Sequence, residues 1–267
     1  MRLPALVPFA LGLALTLAGP ASAQFSQFAW TLDDSQGGVA NLTAEEMLLA
    51  GDGSIFSGAE IQFTTSSVVA GRVRLHAILM PYDGVCSGSA FFIHGTSKSD
   101  YATCYFNDDL QFDVTQGQTF GFGLKTFSPS FPFTNYLSAF EFSPYWRDLG
   151  GSLAGSLGAP ALAGSGIVQP GHVVGLSLAG AAPAAPAALI VGFSPLFAPF
   201  KGGVLVPSPD LVIAGLATGP AGALSFSATL PATVPVGFTF LSQFWVVDAG
   251  GPAGFAASNG VVAQVLP

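Results

Sequence analysis

The sequence contains few charged residues, and they are unevenly distributed. Its 267 residues include 7 Lys and Arg against 15 Asp and Glu, which gives a formal net charge of −8 at pH 7. A phosphate backbone attracts basic surfaces, so this balance excludes nucleic acid and anionic membrane surfaces as expected partners. From residue 149 onward only Lys201, Asp210 and Asp248 are charged. The second half therefore has almost no side chains for acid–base chemistry.

The sequence also lacks an uninterrupted apolar segment long enough to span a bilayer as a helix. The run from Leu3 to Gly19 has about 17 residues and is followed by small residues at Ala21 and Ala23. A spanning helix needs roughly 20 residues, and the pattern is that of a secretory signal peptide cleaved after Ala23. We expect a secreted protein, extracellular or at the cell surface, with no membrane span in its mature form.

Cysteine is scarce, with only Cys86 and Cys104 present. The oxidising compartment of a secreted protein favours a disulfide between them, worth roughly 3 kcal/mol in the loop-entropy model. His76 and His94 alternate with these cysteines, so successive strands could also bring the four side chains to zinc or copper. Because closely spaced cysteine pairs are absent, we predict a disulfide and two ordinary histidines.

Short alternating apolar patterns dominate the first half and predict half-buried strands. In residues 109–126 six apolar residues fall on even positions, and residues 115–118 contain the Gly of a tight turn. The six are Leu110, Phe112, Val114, Phe120, Phe122 and Leu124. We predict two strands joined as a hairpin, with the even side chains packed in a core rather than lining a ligand groove. Residues 41–51, with Thr43 as a cap and Gly51 as a stop, predict a helical turn, with a strand and loop as the alternative.

A change in amino-acid composition divides the chain into two halves. We predict an all-β protein with two antiparallel β-sandwich domains in tandem, jelly-roll or immunoglobulin-like. The boundaries are a signal peptide at 1–23, an N-terminal β-sandwich with one disulfide at 24–148, a Gly-, Ala- and Ser-rich linker-like zone at 149–170, and a Gly/Pro-rich C-terminal β-sandwich at 171–267.

Two groups of residues are candidate binding sites. Aromatic rings beside polar donors suit the apolar and polar faces of a sugar, and the first group forms such a platform: Asn135, Tyr136, Tyr145, Trp146 and Arg147. Calcium takes six to eight oxygen ligands, and the carboxylates proposed for a structural calcium ion are Asp100, Asp108 and Asp109. Turn residues and buried aromatics are the competing interpretations of the two groups.

No catalytic residue is assigned. Residues 192–196 lack the final Gly of a nucleophile elbow, and a triad through His76 or His94 would need assembly by tertiary contacts. We therefore expect a protein that is not an enzyme and that has no cofactor other than the structural calcium ion considered above.

Several motifs of the second half, taken in order and spacing, resemble an uncharacterised Gly/Pro-rich β-sandwich module at the C-termini of secreted bacterial proteins. They occupy residues 157–166, 175–195, 206–231, 240–252 and 256–266. The chain departs from that pattern at Lys201, Gly202 and Gly203, where the module often has a Gly-Cys pair. The resemblance implies an accessory sandwich with no attached activity. Residues 117–122 are similar in pattern to extracellular jelly-roll-like domains.

These observations predict a secreted, non-catalytic structural or adhesion-type protein that acts through contacts with envelope proteins or polysaccharide. One alternative is a carbohydrate-binding module, with or without a calcium requirement. The other is an extracellular hydrolase.

Overall fold

The structure is a computed structural model that describes residues 25–51, 59–81, 88–126 and 133–267. The predicted signal peptide and Cys86 lie outside these ranges, so both the cleavage site and the Cys86–Cys104 disulfide stay predictions. Among the described residues, no helix is both long and apolar enough to cross a membrane. The fold is all-β, with antiparallel strands throughout, as predicted.

The first half forms an N-terminal sandwich of two sheets. A short 3-10 turn at Phe25–Gln27 precedes strands in the described ranges, which are β1 (Thr31–Asp33), β2 (Val39–Leu42), β3 (Glu46–Ala50), β4 (Glu60–Ser66), β5 (Gly71–Pro81), β6 (Gly88–His94), β7 (Ser97–Thr103), β8 (Phe106–Val114), β9 (Thr119–Thr126) and β10 (Phe133–Pro144). One sheet has the order β1-β4-β9-β6-β7 and the other β2-β3-β10-β5-β8. We call these the first and second sheets.

The strand pairing is that of a jelly roll. Antiparallel ladders join β3 to β10, β4 to β9, β5 to β8, and β6 to β7. The chain therefore runs as one long antiparallel double strand that is rolled into two facing sheets, an arrangement that joins distant segments of sequence. The jelly-roll form predicted for the first half is the observed one.

The predicted hairpin of residues 109–126 is wrong, although its apolar face was correctly predicted as core. Strand β8 pairs with β5 in the second sheet, whereas β9 pairs with β4 and β6 in the first. The turn at 115–118 thus crosses between sheets. Phe120, Phe122 and Leu124 are fully buried, and the ring of Phe112 lies 6.0 Å from those of Phe120 and Phe122 across the core.

The predicted helical turn at 41–51 is also wrong, because the segment forms β2 and β3. Met47 and Leu49 are fully buried, which gives the two-residue period of a strand. The Thr43 hydroxyl does accept a hydrogen bond from the backbone N–H of Glu46, at 3.0 Å. The local capping signal is real, but it closes a turn between two strands.

The second half forms a C-terminal sandwich. Its strands in the described ranges are β11 (Trp146–Gly150), β12 (Ala161–Ser165), β13 (Val173–Ala179), β14 (Pro186–Gly192), β15 (Pro195–Phe200), β16 (Gly203–Pro207), β17 (Leu211–Ala217), β18 (Leu224–Thr229), β19 (Thr239–Val247), β20 (Phe255–Ala257) and β21 (Gly260–Gln264), with a 3-10 turn at Pro252–Gly254. The sheets are β11-β21-β19-β14-β17, with β20 beside β19, then β12-β13-β18 and the pair β15-β16.

The zone at 149–170, expected to be linker-like, contributes to this sandwich. It holds the end of β11, which pairs with β21, and all of β12, which pairs with β13. Leu162 and Val168 are buried in the core of the C-terminal sandwich. Small side chains here allow close packing: a Cβ on Gly164 would lie 1.9 Å from the Trp146 ring. The Gly-rich composition serves packing in this segment.

A polar junction connects the two sandwiches. The guanidinium of Arg72 donates to both carboxylate oxygens of Asp113, at 2.7 and 3.0 Å, and also to the backbone oxygen of Pro267. The Tyr145 hydroxyl donates to the same carboxylate at 2.6 Å. Burial opposes ionisation of Asp113, but the hydrogen bonds from Arg72 and Tyr145 lower the pKa of that carboxyl below its ordinary value.

Candidate functional site: the polar face of the second sheet

The outward side of the second sheet carries a concentration of polar side chains. Along β5 the apolar residues Val73, Leu75 and Ala77 point into the core, so Arg74 and His76 point outward. On β8 the register places Gln111 opposite Arg74 and Asp109 opposite His76. We call the outward side chains of Arg74, His76, Asp109, Gln111 and Glu141 the polar face.

The third strand that contributes to this face is β10, which contains a bulge. The register between β10 and β5 shifts between Ser138 and Glu141, and Ala139 has a φ of 51°. Bulges re-aim side chains next to functional sites, and a left-handed backbone at a residue with a Cβ is uncommon. Here the bulge places Glu141 opposite Arg74 and borders a pocket of about 330 Å³, which is lined by the polar face and Ala139.

The His76–Asp109 pair is an ordered part of the pocket. A carboxylate can only accept, so His76 Nδ1–H donates to Asp109 Oδ1, at 2.8 Å. The hydrogen bond to Asp109 is the main cause of a raised pKa at His76. The side chain of Asp109 remains 85% exposed and that of His76 33% exposed. The pair is therefore accessible to a ligand.

Arg74 and Glu141 are neighbours across the ladder, yet they do not pair. Arg74 Nε donates to Gln111 Oε1 at 2.9 Å, and its Nη2 donates to the backbone oxygen of Pro267. In the described part of the chain Glu141 forms no ion pair. Within the described ranges its carboxylate receives a single long hydrogen bond, from the Ser143 hydroxyl, at 3.4 Å. Glu141 thus offers the pocket a half-buried acceptor without a cationic partner.

An apolar row lies beside the polar face. Tyr136 and Ile78 are opposite each other on β10 and β5, next to the row that contains His76. Both side chains are partly exposed. The Tyr136 hydroxyl hydrogen-bonds to Glu46, which raises the pKa of the phenol. An aromatic ring therefore lies next to charged hydrogen-bonding groups on a single sheet face.

The predicted sugar platform does not form as one surface. Tyr145 and Trp146 are buried, at 1% and 7% exposure, because their rings pack into the core of the C-terminal sandwich. Asn135 is fully buried and accepts a hydrogen bond from the Tyr101 hydroxyl at 2.8 Å. Arg147 is exposed on β11, away from the polar face. Of the five residues, only Tyr136 lies beside the pocket.

The carboxylates proposed for calcium are on different sheets. Asp100 is on β7 of the first sheet, whereas Asp108 and Asp109 are on β8 of the second. Within the four described ranges, no three His, Cys, Asp or Glu side chains come together as a metal site. Calcium binding by these residues stays a prediction. His76 and His94 are likewise on different sheets, and His94 Nε2–H donates to the backbone oxygen of Asp113, at 2.8 Å.

The structure brings an aspartate and a histidine together, as a hydrolytic triad would need. Ser138 is the neighbour of His76 on β10. No hydrogen bond between Ser138 and His76 occurs among the described residues, and Ser138 is not part of the pocket lining. The His76–Asp109 pair thus lacks a hydrogen-bonded nucleophile at this place.

Comparisons with known proteins leave the family open. No family model matches the chain, and no curated protein matches it. Among solved structures, it is similar to a red sea bream transglutaminase, with 9% identity over 90% of this chain and 31% of that one, at a TM-score of 0.26. It is also similar to a GH2 β-galacturonidase from Eisenbergiella tayi, with 9% identity over 88% and 42%, at 0.21.

A third similar structure is a DUF3823 family protein from Bacteroides uniformis, with 8% identity over 71% of this chain and 93% of that one, at a TM-score of 0.25. The chain spans less than half the length of the transglutaminase and of the galacturonidase. Similarities with such low TM-scores support no conclusion about function.

Proposed function

We propose that this protein is a non-catalytic carbohydrate-binding protein whose binding site is the polar face of the N-terminal sandwich. The observation that carries the proposal is the pocket of about 330 Å³ in which donors and acceptors alternate. Arg74 and His76 supply donors, Asp109 and Glu141 supply acceptors, and Gln111 supplies both. A sugar hydroxyl also donates and accepts, so a ring with several hydroxyls satisfies such a mixed set.

Two further features support a sugar over other ligands. The Tyr136 ring in the adjacent row offers an aromatic surface to the apolar side of a pyranose, as in sites that combine rings with a few polar groups. The net charge of −8 and the carboxylates of the polar face disfavour strongly anionic polymers. We therefore expect a neutral glycan, in an envelope or extracellular polysaccharide.

The test is retention of the purified mature protein on a panel of insoluble polysaccharides, with calcium and with chelator. We expect retention on at least one neutral glycan and at least a tenfold loss of affinity in Asp109→Asn and Glu141→Gln variants. Asp34→Asn is the matched control, because Asp34 is exposed in a turn between β1 and β2. Equal retention of all variants would remove the polar face as the site.

The same purified protein and variants test the calcium requirement and the hydrolase alternative. Retention only with calcium would support the predicted calcium dependence. Hydrolysis of an ester or glycoside panel by the wild type, abolished in His76→Ala, would overturn the non-catalytic part of the proposal.

A second candidate function, adhesion through protein contacts, is favoured by the edge strand β17. Leu211, Val212 and Ile213 are 51%, 51% and 38% exposed, on an edge strand whose one partner among the described strands is β14. Exposed apolar edges are templates for pairing with another chain. Co-sedimentation with purified envelope protein, lost in Val212→Lys, is the expected result for this function. Unchanged sedimentation of that variant would exclude the edge.

A further inference from the structure

A second pocket lies on the other sheet of the N-terminal sandwich. It has a volume of about 440 Å³ and is lined by residues that include Gln27, Phe28, Thr31, Thr64, Ser66 and Thr119. We call it the hydroxyl groove. None of the residues that line it is charged.

Three neighbouring strands supply the hydroxyls of this groove. The register of the first sheet places Thr31 of β1 opposite Thr64 of β4, and Ser66 of β4 opposite Thr119 of β9. Phe63 and Phe120 point into the core, so these hydroxyl-bearing residues point outward. The Ser66 and Thr119 hydroxyls lie 3.4 Å apart. The result is a set of four closely spaced groups that can each donate and accept.

Phe28 also lines the groove, but its ring belongs to the core. It makes edge-on contacts with Phe120 and Phe142, with ring centroids at 5.2 and 5.1 Å. The groups that the groove offers to a ligand are therefore the outward hydroxyls and the Gln27 amide. Because they carry no charge, they match the hydroxyls of a neutral sugar and offer no counter-charge to an ionic ligand.

We propose that the hydroxyl groove is a second binding site for neutral glycan, and that the protein cross-links polysaccharide chains. The cross-linking part rests on the proposed function of the polar face. The two sheets of a sandwich lie about 10 Å apart, and their outward side chains point in opposite directions. One glycan strand on the polar face does not reach the groove without wrapping around the sandwich. Binding at both sites therefore joins two chains.

The groove differs from the polar face in a way that separates the two sites experimentally. The polar face has titratable and charged groups, whereas hydroxyls and an amide do not titrate in the accessible pH range. Affinity at the groove is therefore independent of pH from about 5 to 8 and insensitive to salt.

The experiment uses titration calorimetry of the full mature protein with neutral hexasaccharides of glucose, mannose and N-acetylglucosamine. We expect two sugar sites per molecule in the wild type. A Thr31→Val/Thr64→Val double variant, which keeps side-chain shape and removes two hydroxyls, leaves one site, with at least a tenfold loss of affinity at the other. Thr229→Val is the matched control, because Thr229 is exposed on β18 of the C-terminal sandwich.

The second readout is light scattering of a soluble neutral glucan with added protein. Wild type is expected to raise the apparent particle size, and variants of either site are expected to bind without raising it. A single site that Asp109→Asn removes would overturn the groove and leave the proposed function intact. A single site that only the Thr variant removes would overturn the polar face and cross-linking. No binding to any hexasaccharide would overturn both.

Discussion

Polar side chains do different things in two regions of the molecule. In the C-terminal sandwich two of them point inward and hold backbone groups: Gln243 is fully buried and Asp248 is 5% exposed. Asp248 accepts from the backbone N–H groups of Ser156 and Gly250, at 2.8 and 2.9 Å. In the N-terminal sandwich, Asp109 and Glu141 point outward and keep free acceptors. Gln243 and Asp248 thus organise backbone in one sandwich, whereas Asp109 and Glu141 face solvent in the other.

Burial limits where a carboxylate can be used. A buried carboxylate is tolerated where several N–H groups bind it, and those hydrogen bonds hold the pKa of Asp248 below its ordinary value. A binding face needs unsatisfied groups and cannot be built from side chains that are already committed to the backbone. For this reason the glycan site proposed above is on the N-terminal sandwich.

A Gln→Leu substitution made once in each sandwich gives the largest expected contrast in unfolding free energy. Gln243 accepts from the Val206 N–H at 3.0 Å and the Trp245 indole N–H at 3.2 Å, and it donates to the backbone oxygens of Gly151, Val204 and Ser258. Gln243→Leu leaves these groups without partners. Since each unsatisfied buried group costs about 1–3 kcal/mol, we expect a loss of about 4 kcal/mol.

The measurement is urea unfolding followed by tryptophan fluorescence, with Gln111→Leu as the counterpart. Gln111 is exposed, and among the described residues its side chain bonds Arg74 alone. The unfolding free energy is therefore expected to fall by less than about 1 kcal/mol while glycan affinity decreases. Equal losses of stability in the two variants would contradict the division of roles.

The junction between the sandwiches gives the next largest effect. Asp113→Asn removes the charge that Arg72 and Tyr145 both bind, and leaves the mostly buried guanidinium without its carboxylate. Breaking a buried ion pair by removing one partner costs about 3 kcal/mol. The expected outcome is a decrease of that size in the unfolding free energy at pH 7, measured in urea. Asp34→Asn serves as an exposed control with a change below about 0.5 kcal/mol.

The junction also has a defined pH dependence. Because the folded pKa of Asp113 is lowered, its stabilisation is fully present above the ordinary value of 3.8 and is lost as pH falls through the folded pKa. The difference between wild type and Asp113→Asn should therefore shrink as pH falls from 5 toward 2. A difference that stays constant over this range would show that the carboxylate charge is not what stabilises the junction.

The sequence predicted the all-β class and the buried side of each strand better than it predicted which strands pair. Alternation along β8 and β9 identifies which side chains are buried, because burial depends on a local two-residue period. It does not identify the partner of β8, which is β5, more than thirty residues earlier in the chain. The turn signal at 115–118 favours a hairpin locally, but jelly-roll pairing overrides it.

The candidate site was missed for a related reason. His76 and Asp109 are 33 residues apart, and Arg74 and Gln111 are 37 apart, so only the register brings them together. A signal was nevertheless present, since polar residues occupy alternate positions in both segments. The predicted platform was instead the aromatic cluster near Tyr145, although sequence alone does not distinguish buried rings from exposed rings. Alternating polar residues on two strands were the signal for the polar face.

The smallest expected effect concerns His76, and it tests whether the polar face responds to pH while the hydroxyl groove does not. The pKa of His76 is raised chiefly by its hydrogen bond to Asp109. The pair therefore stabilises the fold below the ordinary histidine value of 6.5, and this contribution is lost as pH rises through the raised folded pKa. Exposed pairs contribute little, so we expect about 0.5 kcal/mol or less.

The pKa itself is the sharper observable for this pair. In the wild type, an NMR titration of the His76 imidazole should give a midpoint above 6.5, and Asp109→Asn should lower it. Glycan affinity at the polar face should change over the same pH window, because His76 Nε2 is a donor when the ring is charged and an acceptor when it is neutral. Affinity at the groove should stay constant. If the Asp109→Asn midpoint equals that of the wild type, the pair does not exist in solution, and the polar face loses the element that would make its binding pH-dependent.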